Sequence, residues 1–180
     1  MKATGIVRRI DELGRVVIPK EIRRTQRIRQ GDALEIYTAA DGEVVFKKYS
    51  PLGSLRQISG VYAEVLAKSL RRPVLVCDRE HIVAATGAAK RHLLGAHIGP
   101  GVEQLLAMRT PYTAPAQTGR RIALLERGET CLLCAAPVLV HGDLEGGVLL
   151  PGGPEDPLPD EETVHAVATA ASFFARWMES

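Results

Sequence analysis

The chain has 180 residues, of which 46% are hydrophobic and 24% charged, with a formal net charge of only +2 at pH 7. This composition supplies enough apolar side chains for a packed core and excludes a chain that is disordered throughout. The longest nearly uncharged apolar stretches, 131–140 and 166–175, are about half as long as a bilayer span, and residues 1–9 lack the apolar run of a signal peptide. Three cysteines are too few for a disulfide framework. We therefore expect a cytoplasmic protein with no membrane partner.

The charge is unevenly distributed along the chain. Residues 1–50 carry 11 Lys and Arg against 7 Asp and Glu, whereas residues 51–180 carry 12 against 14. Within residues 1–30 the bias is steeper, with 9 basic side chains against 3 acidic ones. A surface that contacts phosphates is typically basic in this way. We therefore divide the chain into a basic domain, 1–50, and a larger domain, 51–180.

The basic domain predicts a β-β-α-β-β order of elements. β-Branched runs on either side of a polar, glycine-containing turn at 11–14 indicate one hairpin, and the Asp-Gly pair at 41–42 indicates a second. Pro19 suits the first turn of a helix, which we expect to end before Gly31. The predicted elements are strands at 4–10 and 15–19, a helix at 20–28, and strands at 34–37 and 44–48.

Two continuous apolar runs in this domain, 16–18 and 44–46, are typical of strands that are buried on both faces. Fifty residues are too few to cover both runs within one copy of the chain. The simplest solution is that two copies combine their hairpins in one shared core. We therefore expect an obligate dimer through residues 1–50.

Four basic residues of the predicted helix follow an i, i+3, i+4, i+7 spacing, which places them on one face. For a lone helix, such a stripe is more often a solvated face. Three further arginines lie on the adjoining hairpin, and a symmetric dimer duplicates every cation, so we predict a surface for double-stranded DNA. No aromatic residue precedes Tyr37, and the stacking platform of single-strand binders is therefore missing here. The candidate DNA-binding residues are Arg8, Arg9, Arg15, Lys20, Arg23, Arg24 and Arg27.

These residues lie in MKATGIVRRIDELGRVVIPKEIRRT, followed by GDALEIY, and this sequence resembles the DNA-binding domain of the AbrB family of transition-state regulators through about Tyr49. The resemblance implies an α+β fold with an N-terminal swapped-hairpin β-barrel dimer. It also implies a regulator of sporulation or transition-state genes, an activator, a repressor or both, that tolerates variation in DNA sequence. Gln26 departs from the family, whose members usually carry an apolar residue there. The family's DNA-contacting arginines correspond to Arg8, Arg15, Arg23 and Arg24.

The larger domain predicts helices at both ends of a set of strands. Asp160 is expected to cap the last helix. Antiparallel strands between two helices are compatible with the GAF sensory fold, and the resemblance implies a C-terminal GAF-like α+β sensor domain at about 55–178. An unidentified small ligand would then lie between the sheet and the loops at 86–115. The predicted elements are helices at 54–70, 102–108 and 160–178, and strands at 73–78, 82–85, 121–125, 131–140 and 146–150.

The terminal helices of this domain carry apolar stripes with two interpretations. They either pack on their own sheet or pair between subunits, in which case two dimers join as a tetramer, as the resemblance implies. Nothing in the sequence separates these alternatives.

The cysteines and histidines show no metal-binding pattern. Cys131 and Cys134 are three residues apart in a predicted strand, so they face opposite sides and do not easily share an ion. We expect no metal, no cofactor beyond the unidentified ligand, and no enzyme activity, because phosphate-loop, nucleophile-elbow and zinc-helix motifs are also missing. The histidines without ligand spacing are His81, His92, His97 and His141.

Two alternatives to a DNA-binding regulator stay open. Some GAF-like domains are cysteine-dependent methionine sulfoxide reductases, so Cys77, Cys131 or Cys134 is a candidate redox nucleophile. Antitoxins of addiction modules use a similar N-terminal domain, but they usually end in a disordered toxin-binding tail. This chain instead ends in a predicted capped helix.

Overall fold

The computed structural model describes residues 5–88, 90–115 and 121–179. The chain divides into two compact units, the first ending at Tyr49 and the second beginning at Ser50. Within the described residues, no helix is long and apolar enough to cross a membrane.

The first unit contains one short helix and a two-stranded antiparallel sheet. Its elements are α1 (Lys20–Thr25), β1 (Leu34–Thr38) and β2 (Val44–Lys48). The two strands pair from Leu34↔Lys48 to Thr38↔Val44. Gly42 lies in the turn between them with φ at 84°, a conformation that glycine adopts without strain. The hairpin predicted around the Asp-Gly pair is confirmed.

The first predicted hairpin forms its turn but not its strands. The Asp11 amide donates to the Arg15 carbonyl (3.1 Å), and the Gly14 amide donates to the Asp11 carbonyl (2.9 Å). The chain on either side, 5–10 and 15–19, contains no strand. The strands predicted at 4–10 and 15–19 are therefore wrong for a single chain, apart from position 4, which lies outside the described residues. Neither segment has a neighbouring strand in one copy with which to pair its backbone.

Helix α1 ends three residues earlier than predicted. The Gln26 amide still donates to the Ile22 carbonyl (2.8 Å), but Arg27 turns left-handed with φ at 51°. The Ile28 amide then donates back to the Arg23 carbonyl (2.7 Å), a helix end of the Schellman type, in which glycine is the usual left-handed residue. Arg27 therefore leaves the helical repeat. Its predicted place on the same helix face as Lys20 is wrong.

A single copy of the first unit has almost no core. Among its described residues only Pro19 is buried. Val17 is 70% exposed and Phe46 is 44% exposed, so one chain does not bury the predicted double-sided runs at 16–18 and 44–46. The large apolar side chains left exposed are Ile6, Val7, Ile10, Leu13, Val16, Val17, Ile36, Tyr37, Val44, Phe46 and Tyr49.

The second unit is built on a five-stranded antiparallel sheet in the order β4-β3-β7-β6-β5. A two-residue turn at His141-Gly142, with both residues at positive φ, joins the two long strands β6 and β7. Its elements are α2 (Pro51–Ser54), α3 (Arg56–Leu70), β3 (Leu75–Cys77), β4 (Ile82–Ala85), α4 (Lys90–Leu93), α5 (Pro100–Ala107), β5 (Tyr112–Thr113), β6 (Cys131–Val140), β7 (Asp143–Gly152) and α6 (Glu161–Glu179).

Most elements of the second unit agree with the sequence expectations. The helix beginning after Asp160 is confirmed, and the Asp160 carboxylate accepts the Thr163 amide at 2.9 Å, as a helix cap does. The strand predicted at 121–125 is wrong. Ala123 makes an isolated bridge to Cys131, and the strand that pairs with β6 at that edge of the sheet is β5.

The sheet of the second unit is covered on both faces. Along β3, Leu75 and Cys77 face the core beside α4 and α5, whereas Val76 faces the core beside α3 and α6. Tyr62 of α3 stacks on Phe173 of α6, with ring centroids 4.5 Å apart. The two long helices therefore pack on their own sheet, one of the two arrangements that the sequence allows.

The close approach of the paired strands β3 and β7 depends on a glycine. Gly146 of β7 has φ at 156°, and a Cβ built there meets the Cys77 carbonyl oxygen at 2.0 Å. We expect Gly146→Ala to reduce the free energy of unfolding of the second unit by at least about 2 kcal/mol, because the backbones of β7 and β3 must separate. Urea unfolding followed by circular dichroism measures this change.

The matched control is Gly60→Ala in α3, where a Cβ has no heavy atom within 4 Å. This variant should gain up to about 1 kcal/mol from helix propensity. Equal effects of the two substitutions would contradict the close approach at Gly146.

Candidate nucleic-acid interface

All seven predicted DNA-binding residues are exposed in the first unit. Arg8 and Arg9 precede the turn at 11–14, and Arg15 follows it. Helix α1 brings together only three of the four residues predicted to share its face: Lys20, Arg23 and Arg24. These three retain the i, i+3, i+4 spacing that places them side by side.

The start of α1 is fixed by Pro19, which is buried and immediately precedes the helix. Its carbonyl accepts the Arg23 amide at 2.9 Å. Ile22 is half-buried on the opposite side from the exposed basic residues. The helix is therefore anchored through its apolar side, and its basic side faces solvent.

The Asp11 carboxylate organises the turn that carries Arg15. One oxygen, Oδ1, accepts the backbone amides of Leu13 (3.0 Å) and Arg15 (2.8 Å). The other, Oδ2, accepts the Nε–H of the Arg15 side chain at 2.7 Å. The Arg15 backbone amide, followed by the Arg15 guanidinium, holds the pKa of the Asp11 carboxyl below its ordinary value. Sequence analysis did not identify this contact, although an aspartate at the start of a glycine-containing turn is its usual signal.

A second carboxylate ties down the chain between α1 and β1. Asp32 accepts the Arg29 backbone amide at 2.8 Å and lies 3.6 Å from the Lys48 ammonium group. Lys48 is thus partly neutralised at the end of β2. The positive charge of the first unit is concentrated on the turn and helix rather than on this hairpin.

The predicted ligand region of the second unit is filled by its own side chains. Between the sheet and the segment 86–115, the core includes Leu93, Val102 and Leu106, which pack on Leu75 and Leu149. A shallow cavity at the C-terminal end of α3 meets this segment at its first two residues, Thr86 and Gly87. Its lining residues are Glu64, Ala67, Lys68, Arg71, Arg72, Pro73, Thr86 and Gly87.

The cysteines of the second unit lie in apolar surroundings. Burial raises the pKa of the Cys134 thiol to about 11 and raises that of Cys77 still further. Thiols with raised pKa values stay protonated at neutral pH and are weak nucleophiles. Cys131 is half-buried, and its thiol donates to the Glu129 carbonyl at 3.5 Å.

Two histidines that are 16 residues apart in the chain meet at one edge of the sheet. The Nε2 atoms of His81 and His97 lie 3.1 Å from each other. Sequence analysis treated these residues as scattered, because only the pairing of β4 with the segment before α5 brings them together. In the parts of the chain that the structure describes, no group of three or more His, Cys, Asp or Glu is arranged to hold a metal ion.

Comparison with known families covers both units. A family model described as "Stage V sporulation protein T C-terminal, transcription factor" matches residues 54–179. A second model, described as "Antidote-toxin recognition MazE, bacterial antitoxin", matches residues 7–53.

Two relatives come from Bacillus subtilis (strain 168). Stage V sporulation protein T is 43% identical to this chain over 182 residues, which cover 99% of each protein. Transition state regulatory protein AbrB is 63% identical over 51 residues, which cover 28% of this chain and 52% of the relative. The AbrB-type N-terminal domain predicted from the sequence is confirmed by this match.

Solved structures agree on the fold of the second unit. The GAF domain of A. Aeolicus nlh2 in an inactive state covers 74% of this chain and 87% of its own, with a TM-score of 0.50 and 14% identity. A type II free methionine-R-sulfoxide reductase from Thermoplasma acidophilum covers 71% of this chain and 94% of its own, with a TM-score of 0.52 and 14% identity. The predicted α+β chain with a C-terminal GAF-like domain is therefore confirmed.

The Asp11–Arg15 contact predicts how the turn responds to acid. The pKa of Asp11 is lower in the folded chain than its ordinary 3.8, so the contribution of this carboxylate is present above pH 3.8 and is lost as pH falls through the lower folded pKa. We expect the Arg15 Nε–H signal in an NMR titration to shift together with the Asp11 carboxyl, below pH 3.8. In Asp11→Asn this shift should disappear.

Asp41→Asn is the control, because Asp41 accepts only the Glu43 amide in its turn, at 3.3 Å, and holds no arginine there. It should leave the Arg15 signal unchanged. Titration of Asp11 at or above pH 3.8 would show that the contact does not form in solution.

Proposed function

The chain belongs to the stage V sporulation protein T family of transcription factors, and from that premise we propose that residues 1–50 bind double-stranded DNA as a dimer. Residues 51–180 form, in this proposal, a sensory and oligomerisation domain that modulates binding. The observation that carries the proposal is the group of seven exposed basic residues in a unit of the AbrB type. A regulator of sporulation genes fits both the family and this surface.

We propose that DNA is held by Arg8, Arg9, Arg15, Lys20, Arg23, Arg24 and Arg27. Guanidinium groups bind phosphates through two hydrogen bonds at once. Because six of these seven residues are arginines, we expect electrostatic attraction to supply a large part of the affinity for DNA. Residues on a turn adapt to more than one groove shape, which explains tolerance of DNA sequence. Arg27 joins this group from the left-handed helix end, outside the repeat of α1.

Asp11 is, on this view, a positioning residue for Arg15. Its bond to Arg15 uses Nε, so the two terminal nitrogen atoms of the same guanidinium can hold a phosphate or a base edge. Because the carboxylate also accepts two backbone amides, it couples the direction of the side chain to the shape of the turn.

The dimer is proposed from the exposed apolar surface of the first unit. Segments 5–10 and 15–19 have backbones without strand partners and side chains such as Val7 and Val17 that are mostly exposed. In a swapped-hairpin dimer each copy would provide strands that pair with these backbones and apolar side chains that cover the exposed ones. A small domain of this composition is not expected to be stable alone.

A tetramer is proposed for the second unit. Val61 and Val65 lie one helical turn apart on α3 and are both more than half exposed, although the rest of this helix packs on the sheet. Trp177 of α6 is also half exposed. Pairing of these helices between copies would bury the remaining apolar surface and join two DNA-binding dimers. A sensor ligand, still unidentified, acts on DNA affinity only if it prefers one such arrangement.

The two alternatives are less well supported. A methionine sulfoxide reductase shares the fold, but reductase chemistry needs an accessible thiolate, and burial raises the pKa of both Cys77 and Cys134. Of the three candidate nucleophiles this leaves Cys131, which is half-buried. An antitoxin interpretation fits the N-terminal match alone. Residues 54–179 match instead the model described as "Stage V sporulation protein T C-terminal, transcription factor".

The first test is fluorescence anisotropy of the full chain on duplex DNA over a range of salt concentrations. We expect the parent to lose affinity steeply with salt. Combined substitution of Arg15, Arg23 and Arg24 by Ala removes six cations per dimer, so affinity should fall and the log–log salt slope should shrink by up to about 5.

The control removes equal charge from the second unit, at the exposed residues Arg56, Arg91 and Arg127. Its salt slope should equal that of the parent. Unchanged binding by the first variant would mean that the basic surface is a solvated face and that DNA is not bound there.

The dimer is tested by Val17→Asp in the full chain. If Val17 is buried between two copies, an uncompensated carboxylate should reduce the stability of the first unit by more than about 2 kcal/mol and abolish DNA binding. Met108→Asp is the control, because Met108 is similarly exposed, at 72%, in the second unit. Analytical ultracentrifugation and NMR spectra that show Val17→Asp to be as dimeric and folded as Met108→Asp would reject the shared core.

A further inference from the structure

The imidazole rings of His81 and His97 converge at one corner of the second unit. Their Nε2 atoms are 3.1 Å apart, whereas their ring centroids are 4.0 Å apart. The rings therefore approach each other at their Nε2 ends. His97 is exposed and His81 is half exposed, so an ion from solvent can reach both nitrogen atoms.

The backbone holds the two histidines in register. They form an antiparallel bridge beyond β4, which is the edge strand of the sheet. On either side, the Ile82 amide donates to the Ala96 carbonyl and the Ile98 amide donates to the Glu80 carbonyl, both at 2.9 Å. The isoleucines themselves are buried in the core. The two rings are thus mounted on rigid backbone rather than on a mobile loop.

A carboxylate lies behind the first ring. Asp78 Oδ1 accepts the amides of Glu80 (2.8 Å) and His81 (2.6 Å), and it lies 3.9 Å from His81 Nδ1. A carboxylate near Nδ1 favours the tautomer with its proton on that atom, which leaves the lone pair on Nε2. Histidine ligands of metals commonly donate that proton to a carboxylate, and Asp78, at 3.9 Å, lies close to this position but beyond direct hydrogen-bond distance.

We propose that His81 and His97 form a binding site for a divalent transition-metal ion such as Zn²⁺ or Cu²⁺. With metal–nitrogen bonds of about 2.0–2.1 Å, two nitrogen atoms at this spacing subtend an angle of about 100° at the ion, which suits tetrahedral and square-planar geometries. The two side chains must rotate so that both Nε2 lone pairs face the ion, because the ring centroids lie only 4.0 Å apart. Imidazole nitrogen favours these ions over Mg²⁺ and Ca²⁺, which prefer oxygen. Water completes the coordination. The inference stands apart from the proposed DNA-binding function.

A bound ion would link two parts of the second unit that are otherwise joined by backbone hydrogen bonds. His81 belongs to the turn that leads into β4, and His97 to the segment that leads into α5. Because an unfolded chain does not hold the two rings together, binding should stabilise the folded unit in proportion to ion concentration.

The experiment titrates the full chain with ZnCl₂ in a calorimeter and with CuSO₄ under electron paramagnetic resonance. We expect one ion per chain and a Cu²⁺ signal with two imidazole nitrogen ligands. His81→Gln and His97→Gln should each weaken binding at least about tenfold, as the loss of one of two protein ligands requires.

His92→Gln and His165→Gln are matched controls, because both residues are exposed in the same unit outside the pair. They should bind ions like the parent. Melting in the presence of a chelator checks that all four variants fold, and the Cu²⁺ spectrum of the parent tests the site without any variant. Absence of saturable binding by the parent, a spectrum with fewer than two imidazole nitrogens, or binding that survives in both ligand variants would overturn the proposal.

Discussion

A single copy of the first unit does not bury its own apolar side chains, and the proposed assembly follows from this constraint. One copy exposes Val7, Val17 and Phe46 and leaves the segments around the 11–14 turn without strand partners. Hydrophobic burial is the main favourable term in folding, and the proposed dimer would supply the burial that one copy lacks. Because few side chains of the first unit lie in an internal core, much of its surface is available to basic residues.

The second unit, in contrast, buries its own apolar side chains. Its sheet is covered on both faces, with Leu75 and Val76 pointing into different cores. The close crossing at Gly146 and the stacking of Tyr62 on Phe173 show that this packing is tight. This unit has a closed core of its own. Assembly with other copies, or a bound ion, therefore need not disturb that core.

Local signals that follow the usual residue preferences are predictable from the sequence, whereas an unusual local residue and contacts between distant chain segments are not. The Asp41-Gly42 hairpin and the Asp160 cap are specified within a few residues, and both were predicted. The end of α1 was missed because Arg27 occupies a left-handed position that normally reveals itself by glycine. The segments around the first turn have no neighbouring strand within one copy to pair with. The meeting of His81 with His97 depends on tertiary pairing, which spacing along the chain does not encode.

Association of the second units can affect the first units by changing their effective concentration. Forming a DNA-binding dimer would cost the free energy of bringing two copies together. If the second units already associate, the first units meet within one assembly, and their effective concentration is higher. In the proposed assembly, dimerisation of the basic units and DNA binding are linked in turn, because a dimer would present the doubled set of arginines. A change in how the GAF-like units associate can therefore reach the DNA without any contact between a sensor ligand and the arginines.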